Sequence, residues 1–375
     1  MNIPWAADNR SPNEVLAVCA LSSLRSDRVL VDRRVREVKD WEAVARVALG
    51  GKVSGLFLKN VEDHGLEGRF RPGTLAELER RRHDALRSGL CWTRLLRQVV
   101  EALAAEKIVC VPLKGLSLLL FTYQDESLRE TFDVDLLIRA QDFTACRRAL
   151  VARGYRPRVR SRRGVLLNHG QECEFLAPEG GEEIDVHYRL FSWTDERYIF
   201  KIDSGVWFDR AVPVEWRGVP FRRLLAEDEL CYLLLCALRE RDPLGYLTDA
   251  AALLGRHAAG EAWDPERIVR FVRRGPLERE LRGCLRFLRE AFGVALGSSL
   301  ESFTGARAPG PSGPARSLRR RDLARAENVF DKLSLGVIYL KWQMFKRLGM
   351  FRPYFLAKNN PVGIPLVPSE DDGPR

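Results

Sequence analysis

Apolar residues recur at Leu75, Leu78, Leu86, Leu90, Leu95, Val99 and Leu103, the spacing of one helix face sustained over a long element. That element opens at Pro72-Gly73-Thr74, and Thr74 followed by Glu77 three residues on reads as a capping box. Earlier in the chain, Asn13 to Leu21 is a second amphipathic run. Asp40 caps a third, Trp41 to Leu49, which stops at Gly50-Gly51. Residues 1–105 are therefore expected to form a helical N-terminal region.

From 106 the period shortens. Lys107 to Leu113 reads as a short buried strand, Gly115 to Phe121 as a helix or turn, and Asp133 to Arg139 as a strand. Gln141 to Ala152 reads as a helix ending at Arg153-Gly154-Tyr155. Glu172 to Leu176 and Glu183 to Tyr188 form a hairpin around Pro178-Glu179-Gly180-Gly181. This order predicts a small α/β domain over 106–225. Helical patterns return over 226–305, with Glu227 to Glu240 and Tyr246 to Leu254 the clearest runs. Residues 306–326 are expected to be a flexible linker rich in Pro, Gly and Ser, and 327–375 a last helix and a Pro-rich tail.

The acidic strand carries the candidate chemistry. Arg129-Glu130-Thr131-Phe132-Asp133-Val134-Asp135 leads into Leu136-Leu137-Ile138, and a third carboxylate follows in Glu183-Ile184-Asp185-Val186-His187. Side chains alternate along a strand, so Asp133 and Asp135 share a face while the apolar residues anchor it. Two like charges so placed repel unless a cation lies between them, and the first reading is a divalent-metal site.

These residues resemble a known family. Leu113-Lys114-Gly115, then Arg129-x-x-x-Asp133-x-Asp135-Leu-Leu-Ile, the Gly154-Tyr155 after the next helix, and Ile184-Asp185-Val186-His187-Tyr188-Arg189-Leu190 look like the bacterial uncharacterised nucleotidyltransferases, distant relatives of the polymerase-beta-like superfamily. The resemblance covers about residues 10–350. It implies an α/β (α+β) nucleotidyltransferase core with a small mixed sheet, flanked by N- and C-terminal helical regions. It also implies transfer of a nucleoside monophosphate from a triphosphate to a hydroxyl-bearing acceptor, with release of pyrophosphate. Asp133, Asp135 and Asp185 would hold Mg²⁺ or Mn²⁺. Lys114, Gly115, Ser117 and Arg129 would meet the triphosphate.

His187 lies two residues past Asp185 on the same strand face. It is a supporting residue, a substrate contact or a packed polar residue. Asp249 matches a family position and is either a site residue or a structural cap or salt bridge. His169 reads as a loop histidine. One departure stands out: the family usually carries a histidine in the helix before Asp249, where this chain has Leu234-Leu235-Cys236-Ala237-Leu238-Arg239. The acceptor is expected to be a small molecule, sugar or peptide. An RNA-directed transferase, or a non-catalytic nucleotide-binding or partner-binding protein that kept the fold, are the alternatives.

Composition changes the picture little. The formal net charge is +10, but of the 61 basic residues only 10 are lysine, an arginine skew that a GC-rich genome produces whatever the function. The six arginines from Arg153 to Arg163 read as a nucleic-acid track or as a solvated edge strand, the latter preferred. The eight cysteines lack paired metal-ligand spacing and suit reduced, buried thiols, so a cytoplasmic protein without zinc is expected. No run approaches the ~18 apolar residues of a spanning helix, and Met1 to Trp5 lacks a signal-peptide pattern. The apolar, basic-ended segment Leu333 to Phe351 reads as a packed C-terminal helix or a membrane-surface helix.

Three look-alikes fail. An Asp-x-Asp glycosyltransferase would need alternating strands and helices before the acids. Asp203-Ser204-Gly205 has no second copy for an aspartic protease. Gly50-Gly51-Lys52-Val53-Ser54 lacks the Ser or Thr that must follow the lysine of a phosphate loop.

Overall fold

The computed structural model describes residues 12–158, 172–178, 180, 182–191, 195–240, 243–257, 263–275 and 277–305. The expected linker at 306–326, the last helix and tail, His169, and Arg160, Arg162 and Arg163 of the basic track lie outside the described residues. The described chain forms two compact units. One takes in the residues up to Leu90, Leu118–Thr131 and the described residues from Ala226 on; the other comprises Cys91–Ser117 and Phe132–Leu225. The fold is mixed α and β, with a small five-stranded sheet, as expected.

The first unit is helical. Pro12–Leu21, Arg28–Arg36, Trp41–Gly50 and Ser54–Asp63 are joined by short connections. Asp40 caps the third as expected, its carboxylate accepting from the Ala43 N–H at 3.0 Å. The fourth has no side-chain cap; the Leu56 N–H donates instead to the Leu128 carbonyl at 3.1 Å. Gly55 permits that approach, because a Cβ there would collide with the Ser127 carbonyl. The later helices Ala226–Arg239, Leu244–His257, Pro265–Arg274, Glu278–Phe292 and Gly297–Thr304 bury leucines and phenylalanines in the same unit.

The capping box is a correction. The helix runs Pro72–Ala105, so Thr74 already lies inside its first turn. Thr74 Oγ1 donates to Glu42 Oε2 at 2.6 Å, and the Arg71 N–H donates to Glu42 Oε1 at 3.2 Å. Glu77 pairs with Arg80 and Arg81 rather than reaching back to the backbone. A carboxylate from another helix takes the place of the local one, which is drawn instead to two arginines on its own helix.

The second unit is built on the sheet. Its strands are β1 (Cys110–Pro112), β2 (Val134–Ile138), β3 (Arg156–Pro157), β4 (Glu172–Leu176) and β5 (Glu183–His187), in the spatial order β1-β2-β5-β4-β3. β2 and β5 run parallel at the centre, and the other pairings are antiparallel. Val134, Leu136, Leu137 and Ile138 are all at most 1% exposed, and burying each such side chain is worth about 1.5–3 kcal/mol. This run of large aliphatic residues fits a central strand covered on both faces. The helix Phe143–Ala152 leads from β2 toward β3, and the Phe143 ring meets Tyr188 edge-on at 5.2 Å. A separate hairpin, β6 (Val212–Trp216) and β7 (Val219–Arg223), turns through Arg217 and Gly218, both at positive φ, as a two-residue hairpin turn requires.

Among the described residues, no helix is long and apolar enough to cross a membrane.

Candidate metal centre

The parallel pairing places Asp135 of β2 directly opposite Asp185 of β5, and the next antiparallel pairing puts Glu174 of β4 opposite Asp185. Residues paired this way project from the same face. Two residues further along, His187 pairs with Leu137 on one side and Glu172 on the other. One sheet face therefore carries Asp135, Asp185, His187, Glu172 and Glu174. Asp133, half-buried just ahead of β2, keeps the same alternation.

Asp135 is 2% exposed and lies in the middle of the aliphatic strand. Its Oδ1 accepts from Lys114 Nζ at 2.7 Å and from His187 Nε2 at 2.8 Å. Burial opposes its charge, but Lys114 and His187 outweigh that and hold its carboxyl well below the usual range. On its other side, His187 Nδ1 lies 3.0 Å from Glu172 Oε2. That contact is poorly aligned for a hydrogen bond and acts as an ion pair. Burial lowers the affinity of His187 for a proton, yet its hydrogen bond to Asp135 and its pairing with Glu172 prevail and lift it to about 9. The two flanking carboxylates therefore favour the protonated ring.

Asp185 is the contrasting member. Its Oδ1 is buried and has no hydrogen-bond partner. Burial, and then the charge of Asp135, push its carboxyl up from 3.8 to about 7; His187 pulls the other way, and Glu172 and Asp133 add to the rise. A buried carboxylate oxygen without a donor costs roughly 1–3 kcal/mol or more, which a bound cation would recover.

Ligand atoms of Asp135, Asp185 and His187 all lie within 4.8 Å of one another. The donor set fits a hard divalent cation: carboxylate oxygens predominate, one of them buried and unpartnered. His187 belongs to the cluster, but its Nε2 already donates to Asp135, which suits it to orienting that carboxylate.

Lys114 opens the short helix Lys114–Leu118 with φ at +47°, left-handed backbone that a side-chain-bearing residue adopts only under strain. The Leu113 N–H donates to the Asp135 carbonyl at 3.0 Å, tying this segment to β2. Gly115 follows directly, and Ser117 on the same helix is 1% exposed.

Arg129 and Asp249 lie in the helical unit and are bonded to each other. Arg129 Nε and Nη2 donate to the two Asp249 oxygens at 3.0 and 2.9 Å, and the Tyr123 hydroxyl donates to Asp249 Oδ1 at 2.8 Å. Burial alone lowers the Arg129 pKa, but the Asp249 carboxylate more than reverses this. Asp249 thus forms a buried salt bridge with Arg129.

Glu172 and Glu174 were not among the sequence candidates. Their signal was present: Glu172-Cys173-Glu174 repeats the one-residue spacing of Asp133-Val134-Asp135 on a strand of the same domain. In the described part of the basic track, Arg158 forms an ion pair with Glu183, and β3 lies at the sheet edge.

A family model described as an uncharacterised nucleotidyltransferase matches residues 37–293, more than half of the chain. No curated protein matches the sequence.

Proposed function

The chain belongs to the family of uncharacterised nucleotidyltransferases, and on that footing we propose that it moves a nucleoside monophosphate from a nucleoside triphosphate to a hydroxyl-bearing acceptor, releasing pyrophosphate. The observation that carries this reading is Asp185: a buried, unpartnered carboxylate oxygen set in register beside Asp135 on the parallel strand. Such a pair is costly in a core without a cation to share it.

In this reading Asp135 and Asp185 hold Mg²⁺ or Mn²⁺, with half-buried Asp133 supplying a further carboxylate at the solvent side. The cation, when bound, neutralises charge that grows on the transferred phosphorus and the departing pyrophosphate. Asp185 orients the acceptor hydroxyl and takes its proton. His187, wedged between Asp135 and Glu172, fixes the Asp135 carboxylate in one orientation. Lys114 and the side-chain-free Gly115 form the phosphate end of the site. Ser117 is too deeply buried to meet a phosphate without opening its helix, and no phosphate contact is assigned to it. Arg129, bonded through Nε and Nη2 to Asp249 and through Nη1 to the Glu130 carbonyl, acts as a brace in the helical unit. The acceptor is a small molecule, sugar or peptide.

The test is to incubate the protein with each α-labelled nucleoside triphosphate, Mg²⁺ or Mn²⁺, and cell extract. Transferred label with stoichiometric pyrophosphate, lost in Asp185→Asn, is the expected result. No pyrophosphate with any triphosphate would overturn it.

A second reading has one observation in its favour: Lys114 and His187 already meet the charge of Asp135. A non-catalytic protein that binds a nucleotide on this fold would bind triphosphate without consuming it.

A further inference from the structure

The oxygen Oδ1 of Asp135 accepts from two side chains, Lys114 Nζ and His187 Nε2, whereas Oδ1 of Asp185, in the matched position on the neighbouring strand, accepts from none. The two partners differ in freedom. His187 is 1% exposed and pinned on its far side by Glu172; the Lys114 side chain is 24% exposed and ends a flexible unbranched stem. Lys114 is therefore the cation that can leave. It also stands beside Gly115, at the start of a short helix and on strained backbone, so its stem is anchored beside the cluster whichever partner its ammonium takes.

We propose that Lys114 is an exchangeable counter-cation. Its ammonium neutralises Asp135 while no divalent ion is bound, yields that carboxylate to an arriving ion, and moves onto triphosphate oxygens. This rests on the metal-dependent reading above and adds a consequence to it. An ammonium and a divalent ion on one carboxylate repel each other, so the ion alone must displace Lys114 without giving it a new partner. A triphosphate supplies that partner, so ion and triphosphate favour each other's binding beyond their direct contact.

Two binding measurements test this. Mn²⁺ binding is followed by loss of the free-ion electron paramagnetic resonance signal. Binding of inorganic tripolyphosphate at saturating Mn²⁺ is followed by calorimetry. Lys114→Met is expected to bind Mn²⁺ alone about tenfold more tightly than wild type and tripolyphosphate about tenfold more weakly. Lys114→Arg, which keeps the charge, is expected near wild type in the first measurement. Lys114→Gln serves if the Met variant does not fold. Mn²⁺ affinity unchanged or weakened in the neutral variants overturns the exchange. So does unchanged tripolyphosphate affinity, which would mark Lys114 as a fixed structural partner. Asp185→Asn separates the two levels. If wild type binds no Mn²⁺, or binds it equally well without Asp185, the metal reading itself fails. If Asp185 is needed but Lys114 has no effect, only the exchange fails.

Discussion

Asp135 and Asp185 hold matched positions on the parallel strands β2 and β5, yet one accepts two charged hydrogen bonds through Oδ1 and the other's Oδ1 accepts none. The same register thus holds one carboxyl far below its ordinary range and raises the other to about 7.

Substituting the two should move stability in opposite directions. Asp135→Asn leaves buried His187 without its principal partner and is expected to cost about 3 kcal/mol. Asp185→Asn removes a half-buried like charge and should stabilise the EDTA-treated protein at pH 8 by roughly 1–2 kcal/mol. Both should lower nucleotidyl transfer at least about a hundredfold. Chemical denaturation and labelled-triphosphate assays on the same preparations check all three expectations.

The pH dependence follows from the signs. Asp185 is raised in the fold, so between about pH 4 and 7 the folded chain keeps a proton that the unfolded chain has lost, and stability falls as pH rises through that window. His187 is raised to about 9, so its contribution is complete below about pH 6.5 and disappears as pH climbs through 9. Thermal melts of the EDTA-treated protein from pH 5 to 9 should therefore decline, and Asp185→Asn should remove the lower half of that decline. Mn²⁺ should flatten it, because a cation favours the ionised carboxylate. A wild-type profile that matches Asp185→Asn at every pH would refute the assignment.

Arg129 separates a brace from a phosphate ligand. With Nε and Nη2 on Asp249, Arg129→Met is expected to destabilise the protein by about 3–5 kcal/mol, since it strands a buried carboxylate. The KM for triphosphate should stay within about twofold for the folded fraction. A tenfold rise in KM at unchanged stability would move Arg129 to the substrate.

Glu42 supplies the cap that the local sequence does not. Glu42→Ala should cost about 1 kcal/mol, a drop in Tm of roughly 2–4 °C, whereas Glu77→Ala should leave the start of that helix intact. Equal losses in the two variants would restore the local capping box.

The legible parts of this protein are those encoded by short-range periodicity. β2 and β5 stand out because Val134-Asp135-Leu136 and Ile184-Asp185-Val186 embed an acid in aliphatic residues, a pattern with one economical solution at a sheet centre. The Asp40 cap was visible for the same reason, since its partner is three residues away. The Glu42 cap and the Arg129–Asp249 pair were not, because their partners lie 29 and 120 residues apart and nothing local marks them. Strand order was hidden in part. The β4–β5 hairpin showed in its turn signal, but the register that brings Glu172 against His187, and the parallel pairing of β2 with β5, depend on contacts that no single segment encodes. Asp135 and Asp185 could be named from sequence; Glu172, Glu174 and the partners around each acid could not.

The most direct test is an anomalous difference map from crystals of the protein soaked in Mn²⁺. The expected result is a peak within about 2.0–2.3 Å of one carboxylate oxygen from Asp135 and one from Asp185, absent in Asp185→Asn crystals. A map at saturating Mn²⁺ with no peak between these strands, or with its peak elsewhere in the molecule, contradicts the metal centre and the transfer chemistry built on it.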